Sequence, residues 1–226
     1  MRLTLFDLDG TLLEIDSDHA FGEYMAAIGW VDAEAFQRRN DAFYEDYQAA
    51  RLDIDAYIDF ATAPWRDRPA QHTSAMREQF MHSVIQPAID ARAVALVRGH
   101  QAAGDRVAIV TATNEFITRP IADAFGVEAL IAVELVRDDY GAVTGGVRGV
   151  PSFREGKIVR VEQWLAAQGL RHADFERVTV YSDSTNDLPL LEWATHPVAT
   201  NPGPALAAIA SERGWPLLPL FKNEAK

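Results

Sequence analysis

Two aspartates, Asp7 and Asp9, follow the first apolar run of the chain and are separated by one residue. If residues 3–6 form a strand, side chains two positions apart share a face, so both carboxylates lie at the carboxyl end of that strand. Adjacent carboxylates repel each other unless a cation or a shared proton offsets their charge. A hard divalent metal ion with oxygen ligands is the simplest solution. The alternative is a polar turn that closes the strand.

Two further segments have side chains suited to binding a phosphate group. Thr111 follows the apolar run 107–110, and the N–H groups at the start of the next predicted helix suit a phosphate oxygen. A cap of that helix by Thr113 or Asn114 is the alternative interpretation. Lys157 follows Gly156 at the start of another predicted helix and could turn toward the strand ends, although a lone lysine is usually a solvated surface charge.

A fourth polar segment follows the apolar run 178–181 and contains Asp183, Asn186 and Asp187. Taken alone, it could be an Asx turn that caps a helix. Because polar chemistry follows three separate predicted strands, the sequence favours a shared site over three unrelated turns.

The elements that must position these residues alternate along the chain. The apolar runs 3–6, 107–110, 130–133 and 178–181 indicate buried strands, and helical patterns cover residues 91–103, 116–125, 158–167 and 186–194. This alternation predicts an α/β fold with a doubly wound, Rossmann-like parallel sheet. Open sheets of this kind bind ligands at the carboxyl ends of their strands.

Residues 14–87 interrupt the alternation with aromatic residues and alanines at helical spacing, and Pro64 and Pro69 mark a break between two helices. We predict a core of residues 1–13 and 88–226 and an inserted helical cap of residues 14–87, placed to act as a lid. The aromatic stripe is interpreted as core packing; its members include Phe36, Phe43, Tyr47 and Tyr57. Residues 133–147 predict a β-hairpin or flap, and residues 222–226 are expected to fray.

The composition narrows the class of partner. The 226 residues include 33 acidic and 21 basic residues, and the net charge of -12 disfavours nucleic acid and anionic membranes as partners. The chain has no cysteine, which excludes disulfides and thiolate metal sites. No apolar run is long enough to span a bilayer, and the early aspartates interrupt any signal peptide. We expect a soluble cytoplasmic protein that acts on a small molecule, with its oligomeric state left open.

The chain resembles the haloacid dehalogenase superfamily of phosphotransferases over nearly its whole length. The resemblance lies in four motifs and their order: Asp-x-Asp-Gly-Thr, Thr111, Lys157 and Asp-x-x-Asn-Asp. The helical segment directly after the first strand is similar to the phosphoserine-phosphatase-like subgroup (subfamily IB). Two further segments, Asp16-Ser17-Asp18-His19 and residues 153–157, resemble a bacterial branch of that subgroup that includes histidinol-phosphate phosphatases.

The resemblance implies a Mg²⁺-dependent phosphomonoesterase that works through an aspartyl-phosphate. It implies that Asp7 is the nucleophile and that Asp9 protonates the leaving alcohol and then deprotonates water. The Asp7 carboxylate, the Asp9 carbonyl and the Asp183 carboxylate would hold Mg²⁺. The residues implied to bind or support the phosphoryl group are Thr111, Ala112, Lys157, Asn186 and Asp187.

The same resemblance bears on the substrate. Asp16 matches the acidic residue that binds the substrate amine in phosphoserine phosphatases, and Asp18 is close by. Their carboxylate-binding arginine has no counterpart between residues 52 and 63, where only the flanking Arg51 and Arg66 are present. An amine-bearing substrate without a carboxylate fits this pattern, so histidinol phosphate is the first candidate and phosphoserine the second. His19 is either a substrate contact or a packed histidine; the other histidines are expected to be structural or exposed.

Competing functions remain at this point. Asp9 argues against a dehalogenase of the same superfamily, because a halide leaving group needs no proton. A phosphomutase, a phosphotransferase with an acceptor other than water, and a non-catalytic phosphate-binding regulatory protein are alternatives, since a fold alone does not establish activity.

Overall fold

The computed structural model describes residues 1–49 and 51–221, so the predicted fraying of residues 222–226 lies outside the described residues. The eight strands of the described part are β1 Arg2–Phe6, β2 Arg106–Asn114, β3 Ala129–Val133, β4 Leu135–Arg137, β5 Val143–Val147, β6 Arg177–Ser182, β7 His196–Thr200 and β8 Leu217–Leu218. Six of them form one parallel sheet in the order β3-β2-β1-β6-β7-β8, and β4 and β5 form an antiparallel pair.

Helices flank this sheet and fill the interval between β1 and β2. The α-helices are α1 Ser17–Ala27, α2 Ala33–Gln48, α3 Ile54–Thr62, α4 Ala70–Phe80, α5 Gln86–Ala88, α6 Ala91–Ala102, α7 Glu115–Ala124, α8 Glu155–Ala166, α9 Leu188–Trp193 and α10 Pro204–Arg213. A π-helical turn joins α4 to α5, and short 3-10 turns precede β6 and α9. The predicted α/β fold class is confirmed.

The central strand β1 lies between β2 and β6, with Phe6 in register with Ile109 on one side and Tyr181 on the other. Apolar side chains cover both faces of these strands, as expected for a parallel sheet packed between helices. The register brings the carboxyl ends of the three strands to one edge of the sheet. The polar segments that follow β1, β2 and β6 therefore meet there.

Several boundaries differ from the prediction. Strand β2 continues to Asn114, so Thr111 lies within the strand rather than at its end. Strands β7 and β8 were not predicted, because β7 has polar residues at both ends and β8 has only two residues. The helix after β6 begins with a 3-10 turn, and α9 has Pro189 in its first turn, where a proline is tolerated.

The helices between β1 and β2 share a core with the sheet. Phe21 and Phe80, from α1 and α4, belong to the same buried cluster as Phe6 of β1. An antiparallel bridge between Leu13 and Ile89 holds the two connections to this segment side by side. Pro64 and Pro69 lie between α3 and α4, where the sequence predicted a break. The cap boundaries at residues 14 and 87 stay a prediction.

The predicted hairpin is formed by β4 and β5 and packs against helix α3. Its turn is held by Asp138 Oδ1, which accepts hydrogen bonds from the N–H groups of Tyr140 and Ala142. Among residues 1–49 and 51–221, no helix combines the length and apolarity that crossing a membrane requires.

We predict that Phe80→Ala lowers the free energy of unfolding by about 3–5 kcal/mol, because it removes a fully buried ring from the shared core. Urea unfolding measures this loss. Phe36→Ala is the matched control, since Phe36 is only partly buried and packs on Phe60 within the helical segment. Equal losses for both variants would contradict a core shared between α4 and the sheet.

Candidate active site

A buried lysine joins two carboxylates at the carboxyl edge of the sheet. Lys157 Nζ donates to Asp7 Oδ1 and to Asp187 Oδ2, each at 2.8 Å, and the lysine is 1% exposed. Burial alone would lower the pKa of Lys157, but the charges of Asp187 and Asp7 raise it above its ordinary value. A charged lysine is therefore fixed against Asp7.

The first turn of α8 brings Lys157 to this position because Gly156 allows a close approach. A Cβ atom at Gly156 would lie 2.1 Å from the carbonyl oxygen of Pro151. On the far side, Ser182 Oγ donates to Asp187 Oδ2 at 2.8 Å. Sequence reasoning could place Lys157 near the strand ends only through the order of motifs, because its glycine neighbour is a weak signal.

Thr11 lies between two of the predicted metal ligands. Its hydroxyl is 3.1 Å from Asp183 Oδ1 and 3.4 Å from Asp7 Oδ2. Burial and the nearby charge of Asp7 raise the pKa of Asp183 well above its usual range. The two carboxylates thus face each other with an excess of negative charge, as a cation site requires.

Asp9 lies beside Asp7 and is held by two donors from different elements. The N–H of Ser17 donates to its Oδ1 at 2.8 Å, and the hydroxyl of Thr113 donates to its Oδ2 at 2.9 Å. Burial, followed by the charge of Asp16, raises the pKa of Asp9 to about 7. A carboxyl group with this pKa can give and take a proton near neutral pH.

The donor set fits a hard divalent cation. The carboxylates of Asp7 and Asp183 and the carbonyl of Asp9 are all oxygen donors, which Mg²⁺ prefers. No group of three or more histidine, cysteine or acidic side chains arranged to hold a metal is found in the described part of the chain. The predicted set differs from such a group because it needs only two carboxylates and one main-chain oxygen. Its assignment stays a prediction.

Strand β2 brings Thr111 and Ala112 to the wall of a cavity that also contains Asp7 and Asp9. The hydroxyl of Thr111 accepts a hydrogen bond from the N–H of Thr113 at 3.1 Å. Helix α7 is capped instead by Asn114, whose Oδ1 accepts from Ile117 N. The capping alternative thus applies to Asn114, and Thr111 lines the same cavity as Asp7 and Asp9.

We call this cavity the acidic cavity. Four carboxylates line it, no lysine or arginine does, and its other wall is largely aromatic. Its lining residues are Asp7, Asp9, Asp16, Asp18, His19, Asn40, Phe43, Tyr44, Tyr47, Leu52, Ile54, Tyr57, Thr111, Ala112 and Thr113.

The two aspartates at the start of helix α1, Asp16 and Asp18, have different surroundings within the acidic cavity. Asp16 caps helix α1, and its Oδ1 accepts from the N–H groups of Asp18 and His19 at 3.0 and 2.8 Å. Asp18 is buried and hydrogen-bonded to the side chain of Tyr57, and burial raises its pKa well above the usual range. The Asp18 carboxylate therefore has fewer hydrogen bonds to other described residues than the Asp16 carboxylate has.

The aromatic stripe was interpreted as core packing, but three of its members also form part of a cavity wall. Phe43, Tyr47 and Tyr57 line the acidic cavity. The interpretation holds for Phe36, which stacks on Phe60 at 4.5 Å between ring centroids. Helical spacing places aromatic residues on one face but does not distinguish a core from a cavity. The polar edges of the tyrosines were the available signal.

The remaining predicted residues lie apart from this wall or have other partners. Asn186 does not line the acidic cavity; its Nδ2 donates to the Tyr47 carbonyl at 2.9 Å, and its buried Oδ1 has no hydrogen-bond partner among the described residues. His19 lines the cavity and lies 2.9 Å from Asp41 through Nε2. Arg51 and Arg66 form ion pairs with Asp46 and Asp59 and do not line the cavity.

Two residues without a predicted role in the site, Thr11 and Thr113, donate hydrogen bonds to the carboxylates of Asp7 and Asp9. Thr11 belongs to the first motif, so its spacing could have indicated a contact with Asp7. The contact between Thr113 and Asp9 depends on the extension of β2 beyond its predicted end, which no local pattern indicates.

The family model of haloacid dehalogenase-like hydrolases matches residues 4–192. This protein therefore belongs to the haloacid dehalogenase-like hydrolases, and the predicted superfamily is confirmed.

Particular relatives extend over nearly the whole chain. A protein of Neisseria meningitidis serogroup C (strain 8013) named histidinol-phosphatase is 42% identical over 217 residues, which cover 96% of this chain and 98% of the relative. A crystal structure of a Bordetella pertussis Tohama I protein of unknown function is 48% identical, with a TM-score of 0.92 and coverage of 97% and 99%. A substrate-bound phosphoserine phosphatase shares the fold at 17% identity, with a TM-score of 0.67 and coverage of 96% and 91%.

We predict that Gly10→Ala destabilises the protein more than Gly126→Ala, as measured by urea unfolding. Both glycines have positive φ, +73° and +70°, which costs a residue with a Cβ about 1–2 kcal/mol. Only at Gly10 does the added Cβ also meet a neighbour, lying 2.3 Å from Asp183 Oδ2, whereas nothing lies within 4 Å at Gly126. Equal losses would show that Asp183 can move away freely.

Proposed function

We propose that this protein is a Mg²⁺-dependent phosphatase that hydrolyses a small phosphorylated metabolite through an aspartyl-phosphate on Asp7. The observation that carries the proposal is the placement of Asp7, which Lys157 holds at one oxygen and Thr11 approaches at the other, beside a cavity that also contains Asp9. Membership of the hydrolase family supports the reaction class.

In the first step, a carboxylate oxygen of Asp7 attacks phosphorus in line with the ester oxygen. The bond from phosphorus to the ester oxygen breaks, and the carboxyl group of Asp9 gives its proton to the leaving alcohol. The donors Ser17 N and Thr113 Oγ1 orient Asp9 for this transfer. The products of the step are the free alcohol and a phosphorylated Asp7.

In the second step, the Asp9 carboxylate takes a proton from water, and the water oxygen attacks the phosphorus of the aspartyl-phosphate. The acyl phosphate bond breaks, which restores the Asp7 carboxylate and releases inorganic phosphate. One residue acts as acid and then as base, which a pKa near 7 permits.

The transferred group has negative charge that other residues must offset. Lys157 and the Thr111 hydroxyl, with the N–H of Ala112, are placed beside Asp7 to bind phosphoryl oxygens. Asp7, the Asp9 carbonyl and Asp183 would hold Mg²⁺, which supplies positive charge at the phosphoryl group when bound. We assign Asn186 and Asp187 a supporting role, since Asp187 orients Lys157.

For the substrate, we propose histidinol phosphate. Asp16 and Asp18 give the acidic cavity negative charge that would bind the ammonium group of the substrate, and the aromatic wall offers faces on which its imidazole ring can pack. The relative named histidinol-phosphatase supports this choice. Phosphoserine is the weaker candidate, because its carboxylate would meet these aspartates with no arginine in the lining to bind it.

The proposal is tested by measuring phosphate release from histidinol phosphate, phosphoserine, sugar phosphates and nucleotides. Activity should disappear when EDTA removes divalent ions and return with Mg²⁺. Asp7→Asn should abolish turnover while the urea unfolding curve keeps its cooperative shape, since an amide cannot serve as the nucleophile. Turnover by a folded Asp7→Asn protein would refute the mechanism.

The same assay separates the alternative functions. A non-catalytic regulatory protein predicts no release from any substrate. A phosphotransferase predicts that an added alcohol becomes phosphorylated at the expense of free phosphate.

We predict that Asp18→Asn raises KM for histidinol phosphate by about tenfold or more, the equivalent of roughly 1.4 kcal/mol of binding free energy. The amide keeps the shape of the side chain but removes the charge that faces the cationic part of the substrate. KM for p-nitrophenyl phosphate, which has no cation, should change little. Asp32→Asn is the matched control, because Asp32 caps α2 on the surface and asparagine also caps helices. Equal effects on both substrates would show that Asp18 does not recognise the cation.

A further inference from the structure

A second cavity, of about 160 Å³, lies between the helical segment and the hairpin of β4 and β5. We call it the arginine cavity, because four arginines and no carboxylate line it. Its lining residues are Trp65, Arg66, Arg68, Ala70, Thr73, Ser74, Arg77, Phe116, Arg137, Gly141, Ala142 and Val143. None of them lines the acidic cavity. Such a concentration of cations is unexpected in a chain with a net charge of -12.

Two of the four guanidinium groups have carboxylate partners outside the lining. Arg66 pairs with Asp59, and Arg137 pairs with Glu115 at 2.9 Å. Within the described part of the chain, no ion pair involves Arg68 or Arg77. The arginine cavity therefore has more positive charge than its surroundings neutralise.

Main-chain oxygens and aromatic rings hold the two arginines that have no ion pair. Arg77 donates to the Phe116 carbonyl at 3.0 Å, and its guanidinium lies 4.6 Å from the centre of the Phe116 ring. Arg68 donates to the Pro64 carbonyl at 2.8 Å and lies 4.2 Å from the Trp30 ring. These contacts fix the guanidinium planes but leave their charge unmatched, so a ligand would meet groups that are already ordered.

Arg77 also lies close to another cation. Partial burial lowers the pKa of Arg77 and the positive charge of Arg137 lowers it further, whereas the negative charges of Glu78 and Asp123 act in the opposite direction. Two guanidinium groups that repel each other across a cavity are stabilised by an anion between them.

The rest of the lining suits an oxygen-rich ligand. Ser74 lies on α4 and has a hydroxyl group that can donate a hydrogen bond, whereas the neighbouring Thr73 hydroxyl donates to the Ala70 carbonyl at 3.0 Å. Trp65 stacks on Phe116 at 4.3 Å between ring centroids, which gives the cavity an apolar side. The volume is ample for several water molecules and hence for a small anion.

We propose that the arginine cavity binds a small anion with two or more negative charges on oxygen, either a polycarboxylate or a tetrahedral oxyanion. Arg68 and Arg77 from the helical segment and Arg137 from the hairpin would bind it together, since the planar guanidinium matches both kinds of oxyanion. A bound anion would link the helical segment to the hairpin and, through Phe116, to helix α7. This site is independent of the proposed phosphatase reaction.

Isothermal titration calorimetry of the whole protein, treated with EDTA and kept at constant ionic strength, tests the proposal. Citrate is the polycarboxylate probe and sulfate is the tetrahedral probe, and saturable binding of either one is expected at millimolar concentration. Arg77→Gln should weaken that binding by roughly tenfold or more. Arg38→Gln is the matched control, because it removes the same charge from an exposed residue paired with Glu34 and should leave affinity unchanged.

Binding of citrate alone identifies a polycarboxylate site, and binding of sulfate alone identifies a site for tetrahedral anions. Equal affinity of Arg77→Gln and the unchanged protein would overturn the proposal, because the anion would then bind elsewhere. So would the absence of binding by either probe. If Arg77→Gln fails to fold, Arg68→Gln takes its place with the same expected loss.

Discussion

The structure depends on charge balance at the carboxyl edge of its sheet. Asp7, Asp9, Asp183 and Asp187 lie together there, and Lys157 donates hydrogen bonds to Asp7 and Asp187. Removing Lys157 from water is costly unless its partners are fixed, and its two carboxylates provide that compensation. Because the single charge of Lys157 does not balance four carboxylates, a cation or bound protons would offset the remaining negative charge.

Backbone geometry makes this crowding possible. Parallel pairing of β1 with β2 and β6 brings three chain segments to the same edge. Gly10 then lets the chain turn within van der Waals contact of Asp183, and Gly156 lets helix α8 begin against the Pro151 carbonyl. A side chain at Gly10 would displace the Asp183 carboxylate, and one at Gly156 would push the start of α8, with Lys157, away from the Pro151 carbonyl. The electrostatics of the site therefore depend on two glycines that have no charge of their own.

The sequence alone predicted the four adjacent strands β1, β2, β3 and β6 of the sheet and the carboxylates that follow β1 and β6, because both depend on local patterns. Apolar runs define strands, and alternate aspartates after a strand share a face. The lining of the acidic cavity was beyond such reasoning. The tyrosines at positions 44, 47 and 57 face the cavity only because α2 and α3 lie over the strand ends, and helical spacing is the same for either face. The hydrogen bond from Thr113 to Asp9 likewise depends on tertiary structure, since it requires β2 to continue past its apolar run.

The two ends of the acidic cavity have opposite requirements, and this asymmetry constrains the substrate. Thr111 and Asp7 line the cavity at the sheet edge, where the buried Lys157 binds Asp7, whereas Asp18 of helix α1 adds a further carboxylate to the lining. Under the proposed function, a phosphate ester of a neutral alcohol would leave Asp18 with its hydrogen bond to Tyr57 but with no cation from the substrate. The proposed substrate, a phosphorylated amino alcohol, would bring its ammonium group to Asp18 and its phosphoryl group to Asp7. The acidic lining therefore supports the proposal of an amine-bearing phosphate ester over esters of neutral alcohols.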